Sequence, residues 1–244
     1  MRYLVMSDIH ANQAALLAVL ADAGSFDLVW CLGDLVGYGP DPNECVEMLS
    51  ELPHVSLAGN HDWAALGKLD ITSFNSDARL ASVWTQSELS PSSREYLDTL
   101  PSRDELGEFT LAHGSPRQPV WEYVIDPLIA QRNFAYFETT YCLVGHSHIP
   151  VIFFQLEANP GGCKTLVPPY GGPVSLKVEG RLILNPGSVG QPRDGNPDAS
   201  YAILDTEAMT WELFRAPYAV EITQERMRAR DLPPHLIERL SYGR

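Results

Sequence analysis

The sequence predicts an α/β fold, and three observations carry that prediction. Short apolar runs alternate with helix-forming segments through the first 60 residues. Those links are short. Beyond residue 100 the chain turns into closely spaced β-prone runs separated by Gly/Pro turns.

The elements can be justified in order. Arg2–Met6 is an apolar run ending at Ser7-Asp8, and reads as a buried strand. In "NQAALLAVLADAG", Leu16, Leu17 and Leu20 are expected on one helical face, with Asn12 as cap and Gly24 as stop. "FDLVWCLGD" is a second buried strand. "DPNECVEMLSEL" opens with Asp41 as N-cap, Pro42 at N1 and Glu44 at N3, a capping-box variant. "HVSLAGN" is a third strand. Three strands joined by two helices imply a parallel sheet, which binds ligands at the carboxyl ends of its strands.

From residue 63 to about residue 100 the strand signal disappears. "SFNSDARLASVWTQSEL" and "SPSSREYLDTL" look helical, the second capped by Ser90 with Pro91 at N1. This stretch is expected to be a helical insertion packed over or beside the sheet, within a single domain spanning residues 1–244. Strands resume at "EFTLAHG", "TYCLVGHSH" and "PVIFFQL". The later runs "RLILNPGSVG", "ASYAILD" and "TWELFRA" suggest a second, more antiparallel sheet. "EANPGGCKTLVPPYGGP" reads as a hairpin or loop. The last segment reads as one or two helices broken at Pro233-Pro234.

Composition narrows the function classes. A formal net charge of -14 argues against a long nucleic acid as partner, because an acidic surface repels phosphate backbones. The four cysteines contain no CxxC pair, and Cys31 and Cys142 lie in apolar runs as core residues. That usage fits a reducing cytoplasm. The N-terminus shows no signal-peptide apolar region, and no run reaches the roughly 18 residues needed to span a bilayer, so no membrane role is expected.

The chemistry lies where strands end. Asp8-Ile9-His10 follows the first strand, Gly33-Asp34 the second and Gly59-Asn60-His61-Asp62 the third. His113-Gly114 follows "EFTL", and Gly145-His146-Ser147-His148 follows "YCLV". Five of the seven histidines fall in these clusters. In extended backbone, residues i and i+2 point to the same side, so Asp8 and His10 would converge, as would His146 and His148. Carboxylate with imidazole suits borderline divalent metals such as Mn, Fe, Ni, Co or Zn. The set exceeds one tetrahedral site and suits two neighbouring metals sharing a carboxylate.

As a set, D-x-H, G-D-x-x-G, G-N-H-D, H and G-H-x-H resembles the calcineurin-like metallophosphoesterase superfamily. "NPGSVGQPR", residues 185–193, extends the likeness to its small prokaryotic phosphodiesterases. The resemblance implies a four-layer α/β/β/α sandwich of two mixed β-sheets, with a dinuclear centre at one edge. It implies that Asp8, His10 and His148 hold one metal, that Asn60, His113 and His146 hold the other, and that Asp34 bridges them. His61 would not be a ligand. It would face the substrate phosphate and either protonate the leaving oxygen or stabilise developing charge.

The implied activity is hydrolysis of a small phosphodiester or phosphomonoester by a metal-bridging hydroxide, with two divalent ions, manganese favoured. Hydrolysis of dinucleoside polyphosphates or phosphoproteins uses the same core and stays open. A non-catalytic protein-interaction scaffold is a third reading, disfavoured because every expected ligand is present. Arg117 and Arg193 are candidate substrate contacts, Trp63, Trp121 and Tyr123 candidate stacking surfaces, and Asp62 a candidate orienting group. Ser188 and Gly190 are expected to buttress the ligands. A homo-oligomeric state is left open.

Overall fold

The computed structural model describes residues 1–156 and 162–244. In chain order the first part contains β1 (Arg2–Met6), α1 (Gln13–Asp22), β2 (Leu28–Cys31), α2 (Pro42–Ser50), β3 (His54–Ser56), α3 (Asn60–Ala65), α4 (Ser76–Glu88) and α5 (Pro91–Asp98). β4 (Arg103–Leu106), β5 (Phe109–Ala112), α6 (Pro127–Asn133), β6 (Tyr141–Leu143), β7 (Val151–Leu156) and β8 (Cys163–Leu166) follow. The chain continues with β9 (Pro173–Ser175), β10 (Gly180–Asn185), β11 (Ala199–Asp205), β12 (Thr210–Ala216), α7 (Val220–Ala229) and α8 (Pro234–Glu238).

The strands form two mixed six-stranded sheets, β3-β2-β1-β11-β12-β9 and β4-β5-β6-β10-β7-β8. Strands β1, β2 and β3 are parallel, as are β5, β6 and β10; all other strand pairings are antiparallel. The C-terminal runs do not all build the second sheet, as their order in the sequence suggested. β11 and β12 return to the first sheet, where β11 pairs antiparallel with β1 (Leu4 opposite Ile203). Only β10 joins β6. Strand alternation fixes which residues face inward, not which sheet receives them.

Period-two alternation produces the layers directly. In β1, Val5 faces the other sheet while Leu4 and Met6 face helices; in β6, Tyr141 and Leu143 face inward and Cys142 faces out. Between the sheets lie Trp30, Leu111, Leu143, Leu184 and Trp211. α1 and α2 cover the first sheet through Leu16, Val19, Cys45 and Leu49. α6 covers the second with Ala130, against Phe153 and Ile183. Each fully buried aliphatic of this kind contributes about 1.5–3 kcal/mol relative to exposure.

The capping expectations divide. Asn12 caps α1 by accepting from the Ala15 N–H, and Ser90 caps α5 by accepting from that of Ser93. Asp41 and Pro42 take the N-cap and N1 positions of α2 as expected, but the Asp41 side chain makes no capping hydrogen bond; its carboxylate pairs with Arg226 of α7 at 3.0 Å. Leu17 is 52% exposed, because the buried stripe of α1 runs through Ala15, Leu16 and Val19, one helical step to its side. Strand β4, charged along its length, pairs with β5 and was not anticipated. Nor was α6, although Asp126 caps it by accepting from the N–H groups of Leu128 and Ile129. Of the expected loop at 157–173, residues 157–161 lie outside the described residues. β8 pairs antiparallel with β7, and β9 adds to β12.

Candidate metal centre

The carboxyl ends of β1, β2, β3, β5 and β6 meet at one edge of the sandwich. Each sheet sends loops there, and the loops are laced together by backbone hydrogen bonds. Asp8 N–H donates to Gly33 O at 3.0 Å, His10 N–H to Asp34 O at 3.0 Å, Gly145 N–H to His113 O at 2.7 Å and Gly190 N–H to Asp8 O at 3.0 Å. Asp8, His10, Asp34, Asn60, His61, His113, His146 and His148 all converge here, none more than 5% exposed.

The local backbone is not the extended form expected for i, i+2 convergence. Asp8, His10, Asp34, His146 and His148 all have φ between 49° and 62°, the left-handed region. Seven of the nine non-glycine residues with positive φ among the described residues belong to these loops, Ala11 and Tyr38 completing the seven. Such conformations cost about 1–3 kcal/mol each and persist only where surrounding contacts fix them. The turns therefore aim the side chains, and the strands only deliver them. Two glycines permit the packing. A Cβ on Gly59 would lie 2.0 Å from Asp34 Oδ1, and one on Gly145 would lie 1.8 Å from Ser7 Oγ.

Two groups of side chains form inside this frame. Asp8, His10 and His148 present ligand atoms within 4.8 Å of one another, as do Asp34, His113 and His146. His10 Nε2 and His148 Nε2 are 3.1 Å apart, and His113 Nε2 lies 3.1 Å from His146 Nδ1 and 3.2 Å from Asn60 Oδ1. The two carboxylates behave alike. Asp8 Oδ2 accepts the His146 N–H at 3.0 Å and Asp34 Oδ1 the His61 N–H at 2.8 Å. Each leaves its second oxygen, Asp8 Oδ1 or Asp34 Oδ2, buried without a hydrogen bond. Asp34 Oδ2 reaches both groups, 3.3 Å from His113 Nε2 and 3.7 Å from His10 Nε2.

This donor set fits divalent cations. Nδ1 of His10, His113 and His148 contacts the carbonyl oxygens of Val36 (3.2 Å), Leu32 (2.9 Å) and Gln191 (2.6 Å). Donation there puts the Nε2 lone pairs of the neutral His10 and His148 rings inward, and would do so for His113 once a cation displaces its Nε2 proton. Inward lone pairs and unsatisfied carboxylate oxygens at 3–4 Å repel unless a cation lies among them.

Electrostatics among these side chains are those of a desolvated site. Burial holds His10 and His148 below the usual imidazole range and lowers His146 to about 3. His113 is also penalised by burial, but the adjacent Asp34 carboxylate outweighs it and raises the ring to about 9. Burial likewise opposes ionisation of Asp8 and Asp34, yet neighbouring imidazoles keep both below the ordinary carboxylate range. His61 stands in the same desolvated surroundings. Burial lowers it to about 4, so its ring is neutral at pH 7.

The remaining candidates separate. Arg193 lies beside the centre, its guanidinium 6.0 Å from the Tyr38 ring centroid, while Tyr38 packs on His61 at 4.2 Å. Arg117 does not line the cleft. Glu122, five residues on, takes both its Nε and an Nη, and the head sits over Tyr136. Trp121 and Tyr123 line a cleft of about 220 Å³ with Tyr38, Asn60, His61, Phe74 and His146; Trp63 does not. Asp62 anchors loops rather than a ligand side chain, accepting the N–H groups of Gly59 (2.8 Å) and Val36 (3.0 Å). Burial and the nearby Asp34 charge raise it to about 7. Ser188 Oγ donates to Asp8 O at 2.8 Å. Gly190 lies so close to Ile9 O that a Cβ would fall 1.9 Å from it.

Tyr38 and Phe74 were missed. Tyr38 follows the Gly33–Gly37 motif directly, which was its signal. Phe74 sits in a helix-rich stretch where an aromatic reads as core. Among the described residues no helix is long and apolar enough to cross a membrane.

Comparison with known proteins agrees with this geometry. The family model of the calcineurin-like phosphoesterase superfamily domain matches residues 1–209. The chain is 38% identical over 247 residues to an uncharacterized protein of Methanocaldococcus jannaschii, covering 98% of this chain and 97% of that protein. A solved metallophosphoesterase from Sphaerobacter thermophilus is 45% identical, with a TM-score of 0.91 over 100% of this chain and 99% of that one. A hypothetical protein from Pyrococcus horikoshii OT3 shares the fold, with a TM-score of 0.78 at 21% identity, covering 100% of this chain and 98% of that one.

Proposed function

The chain belongs to the calcineurin-like phosphoesterase superfamily, and from that premise we propose that it is a dinuclear metal-dependent hydrolase of small phosphodiesters or phosphomonoesters. The observation that carries this reading is the reach of Asp34 Oδ2 to both imidazole groups, 3.3 Å from His113 and 3.7 Å from His10. One carboxylate oxygen between two sets of inward nitrogens is what a pair of cations needs.

In this reading Asp8, His10 and His148 hold one ion, Asn60, His113 and His146 the other, and Asp34 both. When bound, the two divalent ions, manganese favoured, supply Lewis acidity that acidifies water and neutralises charge on phosphoryl oxygens. The protein's own groups do the rest. Backbone donors from His61 and His146 hold Asp34 and Asp8 in place. Asn60 and His61, both lining the cleft, face the incoming phosphate. As a neutral ring, His61 donates an N–H to charge developing on the phosphate or the leaving oxygen. Arg193, beside Tyr38, adds a fixed positive charge at the rim. A cleft of about 220 Å³ and a net charge of -14 both favour a small substrate over a polymer.

Purified protein incubated with manganese and aryl phosphodiesters and monoesters tests the reading. Turnover is expected, abolished in Asp34→Asn. Absence of turnover across both ester classes, with metal bound, would contradict it.

A further inference from the structure

The cleft above the metal centre has a composition that speaks to what the phosphoryl group is attached to. Its aromatic surface starts at the centre and continues outward without a break. Tyr123 lies flat on His146, with centroids 3.9 Å apart and planes at 20°. Phe74 packs on His61 at 5.1 Å and meets Trp121 edge-on at 5.9 Å and 90°. Trp121 and Tyr123 remain 40% and 43% exposed. Two segments far apart in the chain thus supply rings to one wall: the run before α4, and the loop between β5 and α6.

The lining contains no lysine, arginine or carboxylate; its other members are Tyr38, Asn60, Ser73, Asn75 and Ala78. Arg193 stands beside Tyr38 at the metal-centre end, 6.0 Å from its ring, and a second phosphate or an acidic peptide lying along Phe74, Trp121 and Tyr123 would meet no ion-pair partner among the lining residues. An uncharged planar ring would find π faces and, at its edge, the Ser73 hydroxyl and the Asn75 amide, whose Oδ1 already caps α4 at Ala78 N. The volume of about 220 Å³ falls below the roughly 300–1,000 Å³ of pockets that enclose drug-sized ligands, which limits the occupant to about one ring system.

We propose that Phe74, Trp121 and Tyr123 form a ring-binding subsite, and that the substrate is a phosphoester carrying a single uncharged planar ring, aryl or nucleoside. This rests on the phosphoesterase reading above. The rings act as specificity determinants. Stacking on an exposed indole is tolerant of ring identity, so the subsite selects planarity and neutrality rather than one base.

The test compares benzyl and cyclohexylmethyl phosphoesters, which match in carbon skeleton and differ in planarity; the loss of preference in the variants and the phosphonate arm below separate ring binding from leaving-group acidity. With manganese-loaded protein, kcat/KM is expected to favour benzyl by about tenfold. Trp121→Ala and Phe74→Leu are each expected to bring that ratio toward one. A binding arm uses benzyl and cyclohexylmethyl phosphonates, followed by tryptophan fluorescence against a Trp121→Phe control. Benzyl phosphonate is expected to bind about tenfold tighter, with a spectral change absent from the control. Equal binding of the two phosphonates, or a preference that survives both substitutions, would overturn the subsite. If neither ester is hydrolysed while benzyl phosphonate still binds selectively, the phosphoesterase reading fails and the ring subsite stands.

Discussion

His10 Nε2 and His148 Nε2 face each other at 3.1 Å, while the opposite nitrogen of each ring contacts a backbone carbonyl oxygen, Val36 O and Gln191 O respectively. Burial keeps both rings below the usual imidazole range. With both outer nitrogens donating, neither inner nitrogen carries a proton, so the contact is no hydrogen bond. The chain spends five left-handed backbone conformations on Asp8, His10, Asp34, His146 and His148 to build it and its neighbour. A cation between the rings turns that repulsion into attraction, and the predictions below follow.

Asp34→Ala is expected to weaken both metal sites together, because Asp34 Oδ2 faces both groups. His10→Ala is expected to weaken one site more than the other. Calorimetric titration with manganese separates the two cases, and two tightly bound ions in Asp34→Ala would contradict the shared role.

His61→Ala is expected to keep two metal ions and lose turnover by about 100- to 10,000-fold, the usual contribution of a positioned proton donor. Elemental analysis beside steady-state kinetics reads both quantities. Loss of an ion from the variant would make His61 a ligand.

Gly59→Ala is expected to cost about 1–3 kcal/mol of stability and to weaken metal binding, since its Cβ would press on Asp34 Oδ1. Gly172→Ala is the control. Like Gly59 it lies outside the left-handed region, and its Cβ would meet only Pro169, at an ordinary 3.5 Å. Urea denaturation with a metal titration checks the pair; unchanged metal affinity in Gly59→Ala would mean that Asp34 relaxes freely.

Asp41→Asn carries a pH signature. Burial raises the Asp41 carboxyl above its ordinary 3.8, although Arg226 at 3.0 Å partly offsets this. A folded value above the unfolded one means stability that is present below about pH 3.8 and lost as pH rises through the folded value. The variant escapes that loss. Its stability relative to the parent is therefore expected to be higher at pH 7 than at pH 3, measured by urea denaturation at each. The reverse order would mean that the Asp41–Arg226 pair is net stabilising.

Much of this arrangement was legible in the sequence, for a physical reason. Metal chemistry restricts residue types, and Asp8, Asp34, Asn60, His113 and His146 each interrupt the chain just after an apolar strand. The illegible parts depend on tertiary choices. Alternation in β11 shows two apolar faces but not that β1 is its neighbour. The D-x-H spacing shows that Asp8 and His10 belong together but not that left-handed turns join them. Arg117 looked free because its Glu122 partner lies in a loop with no helical register to suggest pairing. Asp41 holds the N-cap position its neighbours indicate, but its side chain turns to Arg226, 185 residues away and so invisible from the local sequence.

An anomalous-scattering map from crystals soaked in manganese tests the central claim most directly. Two peaks are expected, one among Asp8, His10 and His148, one among Asn60, His113 and His146, with Asp34 touching both. A single peak, or none among these side chains, would contradict the dinuclear centre.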